Sequence, residues 1–456
     1  MSLNQEIITA ISTPSGKGAI AVVRISGEGS IELVQSIFKG KDLTRQQSHT
    51  IHYGRIVDGQ EVLDEVMVSI FRKPKSFTTE DLVEVSCHGS PFVAEKIIQL
   101  LLKKGARLAN PGEFTLRAFI NGRIDLSQAE AIADLIASSS AAAHAVAMKQ
   151  MRGGFSHEII NLRTELLNFA SLLELELDFS EEDVEFANRE KLVSLIDNIR
   201  KKISPLIESF QLGNVIKAGV NTVIAGKPNA GKSTLLNALL NEERAIVSAI
   251  AGTTRDVIEE TINIRGLVFR FMDTAGLRHT EDEIEKIGVQ KSHEKIRDAA
   301  VLIYLADASS FTDMNSLNEE LSEAKKFGVP FLLVLNKTDL LNENLKQEMM
   351  KSKSAILISA KSKTGIDELK DALFHLIAKD GWMEDQTIVT NLRHFESLKK
   401  ANEALSTVKF GIEKRSSGEM IAFDLRASLD ALGEISGEVT NDEVLGNIFS
   451  KFCIGK

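Results

Sequence analysis

Cysteine is scarce: Cys87 and Cys453 are the only two in 456 residues. They are too few and too far apart for a disulfide framework or a multi-cysteine zinc site. Basic charge is short as well, with 54 Lys and Arg against 64 Asp and Glu, a net −10 at pH 7. That excludes a chain coated in cationic surface for nucleic acid, though not a local basic site. No apolar run approaches the roughly 18 residues of a membrane span. The opening MSLNQEIITAIS lacks a basic patch followed by an apolar stretch, so no signal peptide is expected. The expected setting is cytoplasmic, without a membrane. What is present is ordinary, 43% apolar and 26% charged, as in folded soluble protein of about three domains by length.

The patterning changes three times. Residues 1–120 mix β-like runs (19–25, 65–71, 82–86) with an amphipathic helix near 91–104. Turn signals such as Asp58-Gly59 and Lys73-Pro74 separate them, which is an α+β pattern. From 121 to about 215 the period is helical, and Ile159, Leu162, Leu166, Phe169, Leu173 and Leu177 form one stripe. Strands alternate with helices over 216–380, the mark of a parallel sheet flanked by helices. Residues 381–456 are helical again. The expectation is a multidomain α/β chain in which an α/β block is inserted between two segments of one helical domain.

The α/β block opens on Gly226-Lys-Pro-Asn-Ala-Gly-Lys-Ser233 between an expected strand and helix. This spacing lets backbone N–H groups face phosphate oxygens at a helix N-terminus. Asn229, Ala230, Gly231, Lys232, Ser233 and Thr234 are the candidate phosphate residues. Lys232 is expected on the β- and γ-phosphates and Ser233 on Mg²⁺. Asn336-Lys337-Thr338-Asp339 and Ser359-Ala360-Lys361 follow expected strands. A carboxylate at Asp339 accepts two hydrogen bonds from guanine, and adenine offers no matching pair. GTP is therefore the expected nucleotide. Thr254, in Gly252-Thr-Thr-Arg-Asp256, is the hydroxyl expected to complete Mg²⁺ coordination. Asp273, Thr274, Ala275 and Gly276 are expected near the metal and the γ-phosphate.

The position after Asp273-Thr-Ala-Gly276 is Leu277, where Ras-like GTPases carry the glutamine that orients water. Glu283 and Glu285 are carboxylates able to replace it, weighed against a solvated acidic loop. No arginine finger stands out, although Arg255 and Arg278 are nearby. A monovalent cation held by Asn229 and oxygens of residues 248–253 is a further source of positive charge. The acidic run from Glu174 to Glu185 lacks calcium-loop spacing and reads as a solvated helix end or loop. His88 reads as a loop residue without metal partners.

The glycine loop, Ala249-Ile-Ala-Gly-Thr-Thr-Arg-Asp256, Asp273-Thr-Ala-Gly-Leu-Arg278 and Phe452-Cys-Ile-Gly-Lys456 together resemble the MnmE (TrmE) family of tRNA-modification GTPases. Val23-Arg-Ile-Ser-Gly27, Glu84-Val-Ser-Cys-His-Gly89, Pro111-Gly-Glu-Phe114 and Asn121-Gly-Arg-Ile-Asp-Leu126 extend the likeness over the whole chain. The resemblance implies a folate-binding, dimerising domain over 1–120, a helical domain over 121–215 and 381–456, and a Ras-like GTPase domain over 216–380. It implies K⁺ held by Asn229, Ser248, Ile250 and Thr253, within a loop that includes Ala249, Ala251 and Gly252. Glu285 then orients water, which favours it over the solvated-loop reading. It also implies a one-carbon tetrahydrofolate (5-formyl or 5,10-methylene form) bound by Arg24, Glu84, Arg123 and Lys456, with Cys453 nearby. Read from the residues alone, Arg24 and Glu84 are strand-edge charges, and Cys453 is a small buried hydrophobe one turn after Phe449.

The candidate catalytic set is Lys232, Glu285 and Cys453. The implied activity is a potassium-activated GTPase that, with an FAD-dependent partner in a heterotetramer, modifies carbon 5 of wobble uridine in tRNA. No G-x-G-x-x-G fingerprint places a flavin on this chain. A ribosome-assembly switch is the alternative, but residues 384–456 carry 9 Lys and Arg against 12 Asp and Glu, without the basic module such a switch uses. A stand-alone folate transferase is a third.

Overall fold

The computed structural model describes residues 6–178, 188–240, 260–272, 299–311, 313–352, 354–378 and 387–455. The chain divides into two compact units. One comprises Met1–Ala133, Gln150–Leu192 and Thr407–Lys456, the other Asp134–Lys149 and Val193–Ser406.

The first unit is built on a seven-stranded sheet: β1 (Ile8–Ile11), β2 (Ile20–Ser26), β3 (Phe38–Gly40), β4 (Thr50–Asp58), β5 (Glu61–Phe71), β6 (Leu82–His88) and β7 (Arg107–Leu108). Their order is β3-β4-β5-β6-β2-β1-β7, antiparallel except for β1 with β7. Side chains alternate across the sheet. Val23, Ile25, Val68, Ile70, Val83 and Val85 point to one face, buried with Ala94, Ile97, Ile98 and Leu101 of helix Pro91–Lys103. The register puts Arg24, Glu84, Ser69 and Ile51 in one row across the other face, and Val22, Ser86, Met67 and Tyr53 in the next. The Asp58-Gly59 turn is a hairpin, with Gly59 at φ +65°.

The expected helical stripe lies on Gly154–Asp178, where Ile159, Leu162, Leu166 and Leu173 are buried. This helix packs on Gly418–Ser436, whose Ile421, Leu425, Leu429 and Leu432 are buried in turn. Arg163 donates to the Leu429 carbonyl and pairs with Glu438, and Arg426 pairs with Glu174 at 2.8 Å. Glu176 pairs with Arg189, so the described part of the acidic run is a helix end with arginine partners.

In the second unit a six-stranded sheet contains β8 (Val220–Ala225), β9 (Glu260–Ile264), β10 (Leu267–Phe271), β11 (Val301–Asp307), β12 (Phe331–Asn336) and β13 (Ile356–Leu357). The order is β13-β12-β11-β8-β10-β9, with β9 alone antiparallel to its neighbour. The chain leaves β8 towards β10 and returns on the other side to β11, so the strand order reverses at the carboxyl end of β8. That is where doubly wound sheets bind ligands. This is the strand order of a Ras-like P-loop GTPase domain. Helices from before and after it meet: Phe210 stacks on Phe395 with ring centroids 4.4 Å apart, and Arg200 donates to Asn402 at 3.0 Å. No described helix is long and apolar enough to cross a membrane.

Candidate functional site

The glycine loop turns out of β8 and ends on helix Lys232–Leu240. Gly226 has φ +149°, and a Cβ there would lie 2.0 Å from the Leu305 carbonyl oxygen. Gly231 has φ +97°, and a Cβ there would lie 2.3 Å from Asn336 Nδ2. Only glycine fits either position. Asn229 is left-handed at φ +61° and exposed, with Pro228 before it and buried Ala230 after it. Lys232 Nζ donates to the carbonyls of Gly226 at 2.9 Å and Lys227 at 3.0 Å. Burial pulls its pKa below the usual lysine value. A phosphate beside it would supply the anion that favours the charged form. Ser233 and Thr234 form the first turn of the helix, Ser233 half-buried and Thr234 exposed.

Asn336 joins the loops. Its Nδ2 donates to the Ala230 carbonyl at 2.8 Å, and its Oδ1 accepts the Ala360 N–H at 2.9 Å. One buried amide thus holds the glycine loop and the 359–361 loop together. Lys337, at φ +63°, pairs with Asp307 at 2.6 Å. Asp339 is exposed, and its pKa is lowered first by a hydrogen bond from the Ser359 side chain, with the Lys361 charge adding to it. Lys227 pairs with the buried Glu320, which raises the lysine pKa.

Among the described residues no group of three or more His, Cys, Asp or Glu side chains could hold a metal. The donor set at the loop is instead hydroxyl, amide and backbone oxygen, which suits the hard cations Mg²⁺ and K⁺. Ser248, Ala249, Ile250, Ala251, Gly252, Thr253, Thr254, Asp273, Thr274, Ala275, Gly276, Glu285 and Lys456 lie outside the described residues, as do Arg255, Arg278 and Glu283.

In the first unit Arg24 and Glu84 face each other across β2 and β6, two interior strands, which corrects the strand-edge reading. Arg24 Nε and Nη2 reach Glu84 Oε1 at 2.9 and 2.8 Å, leaving the second carboxylate oxygen for another donor. The guanidinium lies 5.6 Å from the ring centroids of both Phe77 and Phe114. Arg123 stands 5.3 Å from the Phe77 centroid and donates to the Ser76 carbonyl. Arg24, Glu84 and Arg123 are therefore brought together around Phe77.

The Phe77 loop is held by charge. Ser26 Oγ bonds Thr78 at 2.6 Å and Glu80 at 2.8 Å, and Glu80 pairs with Arg117, whose side chain is 1% exposed. Arg117 also pairs with Glu113, and Arg107 grips Glu113 through both carboxylate oxygens at 2.7 and 3.0 Å. Burial raises the Glu113 pKa, but Arg107, the Asn110 N–H and Arg117 outweigh it, and the net shift is down.

Cys453 is exposed, against the buried role read from its helical spacing. Cys87 is the buried thiol, donating to the Ala21 carbonyl and pushed up to about 11 by burial and the Asp64 charge. His88 ends β6 rather than lying in a loop, and its Nδ1 is 2.7 Å from Asp64. The sequence reading missed Ser12, Phe77, Phe114 and Gly455 as neighbours of the pair. Gly455 and Phe114 carried a signal, each as part of a motif shared with the family, whereas Ser12 and Phe77 carried none.

The MnmE helical domain family matches residues 126–453, and the family described as GTP-binding protein TrmE N-terminus matches residues 7–123. Three curated relatives carry the name tRNA modification GTPase MnmE. The one from Flavobacterium johnsoniae is 54% identical over 100% of both chains. That from Cytophaga hutchinsonii is 53% identical over 99% of this chain and 98% of its own. That from Bacteroides thetaiotaomicron is 49% identical over 100% of both.

Proposed function

The chain belongs to the MnmE family of tRNA modification GTPases, and from that premise we propose that it is the GTP-hydrolysing component of wobble-uridine carbon-5 modification. In this reading residues 1–120 form the folate-binding and dimerising domain. Residues 121–215 with 381–456 form the helical domain, and 216–380 the GTPase domain.

The observation that carries the nucleotide half is the Asn336 bridge between the glycine loop and Ala360. Loop N–H groups and Lys232 hold the phosphates, while Asn336, Lys337, Asp339 and the Ser359–Ala360–Lys361 loop frame guanine. Ser233 and Thr254 supply hydroxyls to Mg²⁺, with Asp273, Thr274, Ala275 and Gly276 beside them. Asn229, with oxygens of Ser248, Ile250 and Thr253, holds K⁺, and Glu285 orients water. Equal hydrolysis rates in Na⁺ and K⁺ would refute the potassium assignment.

The second half is a one-carbon tetrahydrofolate site. Glu84 accepts from the pterin edge, and Arg24, Arg123 and Lys456 pair with the glutamyl carboxylates. The bound folate supplies the methylene carbon. A second copy covers the β2–β6–β5–β4 face of the sheet in a homodimer, where Ile20, Ile51, Tyr53 and Met67 are 63, 60, 61 and 47% exposed. An FAD-dependent partner supplies the redox chemistry in a cytoplasmic heterotetramer with tRNA as substrate.

Mass spectrometry of tRNA nucleosides from cells lacking the gene tests the whole reading. Loss of the carbon-5 modification, restored by the native gene but not by Asp273→Ala, is the expected result. An unchanged nucleoside profile refutes it.

A further inference from the structure

Residues 452–455 are fixed against the rest of the first unit, of which they are part, by two close approaches of backbone to backbone. Gly112, at φ +67°, would bring a Cβ to 2.8 Å from the Phe449 carbonyl oxygen, and its N–H donates to the Cys453 carbonyl at 3.4 Å. Gly455, at φ +95°, would bring a Cβ to 2.3 Å from the Ile11 carbonyl oxygen. Between them Phe452 is buried beside Phe449, Leu126 and Ala129, while Cys453 and Ile454 stay exposed. The Gly455 carbonyl accepts from Ser12 Oγ at 3.1 Å and from Arg24 Nη1 at 3.4 Å.

We propose that Gly455 is a positioning residue, its backbone carbonyl sharing with Glu84 the task of fixing the Arg24 guanidinium. This rests on reading the Arg24–Glu84 pair as the tetrahydrofolate site. A guanidinium has five N–H groups. Nε donates to Glu84 and Nη1 to Gly455, while Nη2 lies 2.8 Å from the same Glu84 oxygen as an ion pair, and the remaining N–H groups are left for a ligand. Tied to two fixed acceptors, Arg24 gives up its rotamer freedom before a ligand arrives, which is preorganisation. A larger residue at 455 cannot reach this position, because its Cβ would strike the end of β1. Ser12 supports the same carbonyl from that strand end, where its own N–H is bonded to Val22 at 2.8 Å.

Carboxypeptidase B tests the contact, because it removes Lys456 by attacking the Gly455 carbonyl that Ser12 and Arg24 hold. From the 456-residue chain, lysine release followed by intact mass is expected to be at least tenfold slower than from the free peptide Phe-Cys-Ile-Gly-Lys. Ser12→Ala keeps the scissile bond and is expected to speed release several-fold, and Ser12→Thr, which retains the hydroxyl, to restore it. Gly455→Ala is expected to release lysine as fast as its own free peptide, Phe-Cys-Ile-Ala-Lys. Release from the native chain at the free-peptide rate overturns the docking. A Gly455→Ala rate still as slow as the native one, each relative to its peptide, overturns the steric requirement.

Titration with 5-formyltetrahydrofolate then separates positioning from packing. Gly455→Ala is expected to bind it at least fivefold more weakly. Equal affinity alongside faster release overturns the positioning role. No binding by the native chain overturns the folate reading itself, and the release rates still decide whether Gly455 is held.

Discussion

The glycine loop is made from eight consecutive residues, and one side chain, Asn336, ties it to the 359–361 loop. The Arg24–Glu84 site gathers Ser12, Phe77, Arg123 and Gly455, and its longest hydrogen bond in sequence joins positions 443 apart. The first carries its geometry in local backbone conformation, since Gly226 and Gly231 have no room for a side chain. The second depends on strand order, a buried ion network and a docked tail, so it inherits whatever happens to the fold around it. A contiguous site fails by substitution within itself, whereas an assembled one also fails from a distance.

Four experiments press on that contrast. The largest effect is expected from Glu113→Gln, which leaves Arg117 and Arg107 short of a partner and should cost about 3–5 kcal/mol of stability at neutral pH. The folded pKa of Glu113 is depressed, so its contribution is complete above the ordinary glutamate range and lost as pH falls through the lowered value. The gap in Tm between native chain and variant should therefore close as pH falls below about 4. A gap that is flat with pH refutes the assignment. Tetrahydrofolate binding should suffer with stability, while GTP affinity of the folded variant stays within about twofold.

Gly226→Val attacks the contiguous site, and nucleotide affinity should fall at least a hundredfold, about 2.7 kcal/mol, by fluorescent-nucleotide titration. Asp339→Asn should lower GTP affinity about tenfold and favour xanthosine triphosphate, and unchanged competition between the two would sink the guanine assignment. The smallest effect is expected at Phe77→Ala. Removing two guanidinium–ring contacts, each worth about 0.5–1 kcal/mol, should weaken 5-formyltetrahydrofolate binding three- to tenfold. No change would detach the ring from the site.

The two sites were also unequally legible. Spacing alone located the glycine loop between a strand and a helix, because phosphate binding dictates glycine where backbone must curl. Nothing in the spacing pairs Arg24 with Glu84, since strand order is not written in either strand. The likeness to a family named both residues for one ligand, and the register shows that they pair. β4 was missed because its pattern is inverted: Ile51 and Tyr53 face outwards, while His52 and Gly54 face the core, with the Phe38 ring filling the space over Gly54. Cys453 was misread because helical spacing was carried past Phe449, where the helix ends.

The contrast between the two thiols has a practical consequence. Cys87 is sheltered within the sheet and hard to ionise, whereas Cys453 is open to solvent, two residues from the carbonyl that Arg24 holds. A maleimide or iodoacetamide reagent thus meets a single address on the native chain. A fluorophore placed there without any engineered cysteine would report, by its anisotropy, each time the tail lifts from the sheet.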